Sequence, residues 1–180
     1  MEKLLVYLGA TTPKNPIFVE AVRELGIQIA RRGVSLVFGG SREGTMTVLA
    51  DTVLENGGRV IGVFTKCLPA AFFYKEVTES IITETLAERK ETMLRLTDAV
   101  VALPGSFGTW DELFNALELA KIEVVNGRKP KKIAVLNING YFDSLMAFIR
   151  HSVAEGYTTS GFENLLLCAN TVDELFELLG

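Results

Sequence analysis

Short apolar runs alternate with longer amphipathic segments along most of this chain, which predicts strands alternating with helices. The runs are rich in β-branched and aromatic residues, and they predict seven strands, at residues 3–8, 34–38, 59–64, 76–82, 99–103, 132–137 and 164–168. The second and fifth of these runs are apolar at nearly every position, which is typical of strands that are buried on both faces of a parallel sheet. The pattern therefore predicts an α/β fold: a doubly wound, Rossmann-like parallel sheet with helices on both faces.

The segments between the predicted strands have the period and the punctuation of helices. The clearest, residues 15–33, has Pro16 near its start and Gly33 after its end, which is the usual asymmetry of helix ends. The other predicted helices lie at residues 44–58, 85–97, 108–125, 141–156 and 171–180. A chain of 180 residues falls within the usual range for one domain, so we expect residues 1–180 to form a single domain.

The charge and the N-terminal sequence exclude several classes of partner. The formal net charge is −4 and no run of lysines and arginines occurs, so the chain lacks the electrostatic footprint of proteins that bind nucleic acids or anionic membranes. The first apolar run breaks at Gly9 and is too short for a signal peptide or a membrane span. We therefore expect a cytoplasmic protein with no nucleic-acid partner and no membrane partner.

The cysteines and the histidine form no metal or disulfide pattern. Cys67 and Cys168 are far apart and have no Cys or His neighbours in sequence, so we interpret both as buried free thiols. His151 is the only histidine, which excludes a multi-histidine zinc site and makes any Ser-His-Asp triad depend on this residue alone. The sequence therefore predicts no metal site.

Three predicted strand-to-helix turns are rich in glycine and small residues: LGATTPKNP (8–16), FGGSREGTM (38–46) and LPGSFGTWDE (103–112). Ligands of doubly wound sheets bind at such turns, where helix N-termini present free amides, and glycine lets the backbone approach an anion closely. None of the turns has the Walker lysine loop or the dinucleotide fingerprint. The turns favour binding of one phosphate or a mononucleotide, with tight glycine turns as the structural alternative.

Two charged residues are candidates for chemistry. Glu112 follows Thr109 by three residues, so it is either the second half of a helix capping box or a carboxylate that faces the pocket. Arg89 lies four residues before Met93, on a helix stripe that is otherwise apolar. Arg89 is either a cation for the pocket or a surface residue that pairs with nearby glutamates.

The segments ERKETM (88–93) and PGSFGTWDE (104–112) resemble the paired R-K-x-x-M and P-G-G-x-G-T-x-x-E motifs of the LONELY GUY (LOG) family. Its members are cytokinin riboside 5′-monophosphate phosphoribohydrolases that are often labelled "lysine decarboxylase". The resemblance also covers the first two glycine-containing turns and the late strand-helix unit, and thus most of the chain. Ser106 stands where the family has the second glycine of P-G-G, and Ser41 and Arg42 replace the Gly-Ser of its G-G-G-S loop.

The resemblance implies a hydrolase that cleaves the N-glycosidic bond of a nucleoside 5′-monophosphate to free base and ribose 5-phosphate, without a metal or a cofactor. Arg89 and Glu112 would be the catalytic pair. The family's pattern also implies a homodimer or higher homo-oligomer with the site near a subunit interface. The implied phosphate- and nucleotide-binding residues are Gly9, Thr11, Gly39, Gly40, Ser41, Gly44, Thr45, Met46, Lys90, Met93, Pro104, Gly105, Ser106, Gly108 and Thr109.

Three points stay open on the sequence alone. The altered loops also allow a nucleotide- or cofactor-binding carrier of the same fold that performs no turnover. Lysine decarboxylation is the weakest option, because Schiff-base chemistry needs a positioned lysine and no lysine has that context. The apolar segment AAFFYKEV (70–77) either lines a subunit contact or covers the core.

Overall fold

Seven parallel strands form one sheet in the computed structural model, which describes residues 1–180. The strand order across the sheet is β4-β3-β2-β1-β5-β6-β7, and every neighbouring pair is parallel. This arrangement confirms the predicted doubly wound α/β fold. The strands are β1 (Lys3–Tyr7), β2 (Ser35–Phe38), β3 (Arg59–Thr65), β4 (Glu79–Thr83), β5 (Ala99–Ala102), β6 (Lys132–Leu136) and β7 (Leu166–Ala169).

Six α-helices cover the two faces of the sheet, three on each. Helices α1, α2 and α6 pack on one face, and α3, α4 and α5 contribute to the core on the other. None of them combines the length and the apolar character that a membrane span requires. The helices are α1 (Pro16–Arg31), α2 (Gly44–Glu55), α3 (Leu86–Leu96), α4 (Phe107–Val125), α5 (Asp143–Ala154) and α6 (Val172–Leu179).

Most predicted elements lie within two residues of the observed ones; the end of α2 and the start of β4 each differ by three. The prediction began this strand at residue 76, but ladder pairing with β3 begins only at Glu79, which lies opposite Ile61. Before that point, the backbone N–H of Thr78 donates to the backbone oxygen of Val60, and the hydroxyl of Thr78 accepts a hydrogen bond from the amide of Val60. The side-chain bond takes the place of a ladder bond, so the strand starts later than its apolar pattern indicates.

The expectation of two buried thiols is wrong for Cys67. Cys67 is exposed and Cys168 is partly buried. Cys67 follows β3 in a turn outside the sheet, where its thiol donates to the backbone oxygen of Glu84 over 3.4 Å. An isolated apolar residue in a turn has no core to enter, which the sequence spacing did not reveal.

The chain reverses its direction of winding between β1 and β5, which are neighbours at the centre of the sheet. Strands β2 to β4 extend to one side of this point, and β6 and β7 extend to the other. Because both central strands are parallel, their carboxyl ends open on the same edge, where a crevice forms between diverging loops. All three glycine-containing turns, after β1, β2 and β5, lie at this edge.

The α1 helix offers a matched test of how much the sheet-facing core contributes to stability. Ile29 is fully buried, whereas Ile17 in the same helix is 40% exposed. We expect Ile29→Ala to lower the free energy of unfolding by about 2–5 kcal/mol, because it leaves a cavity in a packed core. We expect Ile17→Ala to change it by less than about 1 kcal/mol. Chemical denaturation of both variants measures the difference, and equal losses would contradict this assignment of the core face.

Candidate active site

Helices α3 and α4 bring Arg89 and Glu112 together at the carboxyl edge of the sheet. Nη1 of Arg89 lies 3.1 Å from Oε1 of Glu112, in a charge-assisted hydrogen bond. Both residues are buried, with 8% and 7% of their surface exposed. The alternative of a surface arginine paired with a neighbouring glutamate is therefore wrong: Arg89 pairs with a carboxylate 23 residues away in sequence, inside the protein.

Arg89 is also held by two strand-end carbonyls. Its Nε donates to the backbone oxygen of Val63 over 2.8 Å, and its Nη2 donates to that of Gly39 over 2.7 Å. A side chain at Gly39 would place a Cβ 1.9 Å from Nη2, so only glycine leaves room for the guanidinium. A guanidinium has five N–H groups, and three of them are used in these bonds. The remaining N–H groups, one on each Nη, are free for a ligand.

The capping box that the sequence allowed at Thr109 and Glu112 does not form. The N-cap of α4 is Ser106, three residues earlier, and its side chain makes no capping bond. Glu112 therefore lies in the second turn of α4, where it cannot reach back to the helix start. Ser106 has a φ of −125°, an ordinary extended conformation, so serine replaces glycine here without backbone strain.

At this edge, α2 and α4 begin without a side-chain cap, as does α5 after Phe142. Neither Glu43, before α2, nor Ser106, before α4, caps its helix. By contrast, α1, α3 and α6 are capped by Asn15, Thr85 and Thr171. Free amides and the positive end of the helix dipole attract anions, so the uncapped ends of α2 and α4, next to the glycine-containing loops, can accept a phosphate.

Burial changes the ionisation of Glu112. Removal from water raises the pKa of its carboxyl from 4.5 to about 7, and the charge of Arg89 opposes part of that rise. Asp111 raises the pKa further, and Lys90 lowers it. Near neutral pH, Glu112 therefore exists as a mixture of acid and carboxylate, as a group that takes part in proton transfer or charge stabilisation requires.

A cavity of about 380 Å³ opens beside the ion pair. Its polar side is formed by the loops after β1, β2 and β5 together with Arg89 and Glu112, and its other side is apolar. Among the predicted residues, it brings together Gly9, Gly39, Gly40, Ser41, Met46, Ser106, Gly108, Thr109, Arg89 and Glu112.

The apolar side of the cavity was not among the predicted site residues. It consists chiefly of Phe64, Leu68, Phe72, Phe73 and Leu86; we call these five residues the apolar wall. Phe64 and Phe73 stack with their ring centres 4.5 Å apart. The AAFFYKEV segment contains two of the five, so this segment lines the cavity, a role that neither sequence interpretation had given it.

Backbone pairing fastens the apolar wall to the second glycine-containing loop. Ser41 and Phe73 form an isolated antiparallel bridge, and the amide of Arg42 donates to the backbone oxygen of Phe72 over 2.9 Å. The amide of Tyr74 donates to the oxygen of Gly40 over 2.8 Å. The two sides of the cavity are therefore built as one unit, and the serine and arginine that depart from the family loop belong to this joint.

A second cavity, of about 330 Å³, lies on the other side of the loop that follows β5 and shares Gly9 and Ser106 with the first. The hydroxyl of Tyr141 donates to the backbone oxygen of Gly105 over 2.5 Å, and Thr45 donates to that of Gly9 over 2.6 Å. These bonds fix the loops that separate the cavities. The second cavity contains the predicted residues Thr11, Thr45, Pro104 and Gly105.

Three of the predicted nucleotide-binding residues line neither cavity. Lys90 points to Asp111, at 2.9 Å, in an ion pair that runs beside the buried one. Met93 is fully buried in the core. Gly44 starts α2 with a φ of +57°, and a Cβ there would lie 2.4 Å from the carbonyl carbon of Ala10. These three residues lie next to the site without lining a cavity. Motif spacing does not distinguish such residues from those that line one.

Comparison with known proteins identifies the family. A profile described as "Possible lysine decarboxylase" matches residues 46–179. A protein of Oryza sativa subsp. japonica named a probable cytokinin riboside 5′-monophosphate phosphoribohydrolase is 34% identical over 174 residues, which cover 96% of this chain and 76% of that protein. This chain belongs to the LONELY GUY family. An Arabidopsis thaliana member with the same enzyme name is 30% identical over 178 residues, covering 98% of this chain and 82% of its own.

Solved structures with the same architecture lie further away in sequence. A molybdenum cofactor carrier protein from Chlamydomonas reinhardtii matches with a TM-score of 0.69 at 22% identity, over 99% of both chains. This likeness shows a common fold.

In this LONELY GUY protein, no three His, Cys, Asp or Glu side chains lie close enough together to hold a metal ion.

The raised pKa of Glu112 can be measured directly. We expect the side-chain carboxyl carbon of Glu112, followed by NMR, to titrate near pH 7. Arg89→Met removes the cation that most strongly favours the carboxylate, so it raises the pKa further. Lys90→Met removes a weaker, more exposed cation and raises it less. A midpoint near the usual 4.5, or a larger effect of Lys90→Met, would contradict the electrostatic account.

Proposed function

We propose that this protein hydrolyses the N-glycosidic bond of a nucleoside 5′-monophosphate, either AMP or a cytokinin riboside 5′-monophosphate, to free base and ribose 5-phosphate. The observation that carries the proposal is the buried pair of Arg89 and Glu112 on the wall of a cavity that also holds an uncapped helix N-terminus. The names of its plant relatives support the same reaction.

The start of α4 is the proposed phosphate site. Its first amides, at Phe107, Gly108 and Thr109, have no capping side chain, and the dipole of a long helix ends there. Ser106 and Thr109 line the same cavity. A dianionic 5′-phosphate would satisfy these donors, as phosphates do at other helix N-termini.

Glu112 supplies the negative charge that the reaction needs. When the bond between C1′ and the base breaks, its electron pair leaves with the base, which takes up a proton, and positive charge develops on the sugar. A carboxylate beside the sugar stabilises that charge and orients the water whose oxygen bonds to C1′. In the free protein, Arg89 anchors the carboxylate through Nη1, and two further N–H groups are available to the phosphate or the sugar.

The apolar wall supports a preference for a base with an apolar substituent. Stacked Phe64 and Phe73 offer a flat surface to a purine, and Leu68, Phe72 and Leu86 extend the surface with groups that are each more than 40% exposed. Covering these groups with an isopentenyl chain would remove apolar surface from water. We therefore propose that isopentenyladenosine monophosphate is a better substrate than AMP.

Lysine decarboxylation, which the family description names, has little support in this site. A Schiff base with pyridoxal phosphate requires a lysine in contact with the cofactor. No lysine lines the cavity beside the ion pair, and Lys90 is paired with Asp111 outside it. Nothing in the cavity offers an amine to a carbonyl compound.

Activity measurements on four proteins test the proposed reaction. Purified protein is incubated with AMP and with isopentenyladenosine monophosphate, and the free base is separated and counted. We expect base release that is faster from the isopentenyl compound. Glu112→Gln and Arg89→Met should each lower kcat by about 10²- to 10³-fold, since each removes a preorganised charge.

The matched control is Glu123→Gln, which breaks the exposed pair of Glu123 and Arg128 at the far end of α4. This variant should retain full activity, because exposed ion pairs contribute little to stability and this one lies far from the cavity. Absence of base from both substrates, or full activity in Glu112→Gln, refutes the hydrolase. Tight binding with the nucleotide recovered intact would support the alternative, a carrier without turnover.

We also propose that the protein is a homodimer or a higher homo-oligomer that uses α4. Phe107, Trp110 and Phe114 lie on one face of the first half of this helix and are all at least 38% exposed, ahead of the exposed pair of Glu118 and Lys121. This apolar stripe indicates a protein contact. Because Phe107 and Trp110 lie beside the start of α4, a second copy on this stripe would border the cavity. A cytoplasmic location stays a prediction from the N-terminal sequence.

Phe114→Glu tests the proposed contact, because a charge in an apolar interface is costly to bury. We expect light scattering after size exclusion to find an oligomer for the native protein and a monomer for this variant. Phe148→Glu, at a position 62% exposed on α5, is the control and should stay oligomeric. A native monomer, or dissociation by the control alone, would reject the α4 contact.

A further inference from the structure

Tyr7 has a buried hydroxyl that the proposed reaction has not yet used. Tyr7 is the last residue of β1, is only 1% exposed, and packs in the core cluster that contains Met93 and Leu113. Its Oη is one of two buried side-chain polar atoms that lack a hydrogen-bond partner. An unpaired buried hydroxyl lowers stability, and phenylalanine would fill the same space without that loss.

Tyr7 shares its part of the core with the helices that carry the ion pair. Met93 lies one helical turn after Arg89, Leu113 directly follows Glu112, and β1 contacts both α3 and α4. Burial, and next the negative charge of Glu112, raise the pKa of Tyr7 well above its usual value. The phenol is therefore a neutral donor at any pH at which the protein works.

Glu112 depends on a single donor in this structure. The charged and titratable groups around it are Arg89 and Lys90 on α3, Asp111 on its own helix and Tyr7 on β1. Of these, only Arg89 donates a hydrogen bond to the carboxylate, through Nη1 at 3.1 Å. A phosphate that binds the two free N–H groups draws the guanidinium toward itself and away from Glu112, and a buried carboxylate that loses its only donor becomes unstable in its charged form.

We propose that Tyr7 is a positioning residue that donates its hydroxyl to the Glu112 carboxylate when Arg89 turns to the substrate. The assignment rests on the proposed function, because it gives that carboxylate its task. A neutral donor keeps Glu112 ionised and oriented toward the sugar without attracting the phosphate itself. Both Arg89 and Tyr7 thus serve Glu112, Arg89 in the free protein and Tyr7 in the complex.

A double-mutant cycle on the ionisation of Glu112 tests the contact without any nucleotide. Arg89→Met removes the competing donor, as substrate binding would. In that background, Tyr7→Phe should raise the pKa of Glu112 by about 1 or more, the effect of losing a hydrogen bond to a charged group. In the native background, where Tyr7 makes no such bond, the same change should raise it by less than about 0.3. NMR titration of the Glu112 carboxyl carbon measures all four proteins.

The cycle is decisive in either direction. Equal effects of Tyr7→Phe in both backgrounds, or none in the Arg89→Met background, would overturn the assignment. If Arg89→Met does not fold, Arg89→Gln removes the charge in a polar side chain and replaces it in the cycle. Tyr7→Phe itself deletes only an unpaired hydroxyl, so its free energy of unfolding should be unchanged or higher.

Kinetics then separate a positioning role from a structural one. With isopentenyladenosine monophosphate, Tyr7→Phe should lower kcat about tenfold, leave KM unchanged and move the acidic limb of the pH profile to higher pH. A variant that differs from the native protein only in unfolding would show a structural role and reject the assignment. Absence of activity in the native protein rejects the hydrolase instead, while the NMR cycle still decides whether Tyr7 binds Glu112.

Discussion

The buried ion pair of Arg89 and Glu112 is the constraint on which the site depends. Two charges inside a protein are stable together only when further hydrogen bonds replace the lost water. The carbonyl oxygens of Val63 and Gly39 provide those bonds at 2.8 and 2.7 Å. The pair therefore joins α3 and α4 to the ends of β2 and β3. It also requires glycine at position 39, because a side chain there would collide with the guanidinium.

Burial lowers the stability of the ion pair, but it also brings the pKa of Glu112 close to neutral pH. In water, a glutamate beside an arginine would be fully ionised at neutral pH, but here burial outweighs the attraction and leaves the pKa of Glu112 at about 7. A small change in the donors around the carboxylate then changes its charge under working conditions. The same desolvation that reduces stability makes the carboxylate sensitive to a bound ligand.

The sequence predicted the sheet well because buried parallel strands and amphipathic helices leave strong local patterns. It could not decide whether Glu112 takes part in a helix cap, since the cap depends on where the helix begins. A capping box of Thr109 and Glu112 needs a helix that begins after Thr109, whereas α4 begins at Phe107. The orientation of Arg89 was equally open, because its acceptors lie 26 and 50 residues away in the chain. No sequence motif marked the residues of the apolar wall. Their place beside the cavity follows from tertiary contacts, such as the bridge between Ser41 and Phe73.

The separation of Ser106 and Glu112 along α4 allows one site to hold both a phosphate and a carboxylate. Their charges repel, so both cannot lie at the helix start without cost. Ser106 and Glu112 are six residues apart in the numbering of the chain, which corresponds to about 9 Å along the helix axis. A phosphate on the first amides and a carboxylate in the second turn therefore leave room for a sugar between them. In this arrangement the repulsion weakens with distance, while each group still acts on its own end of the same ribose.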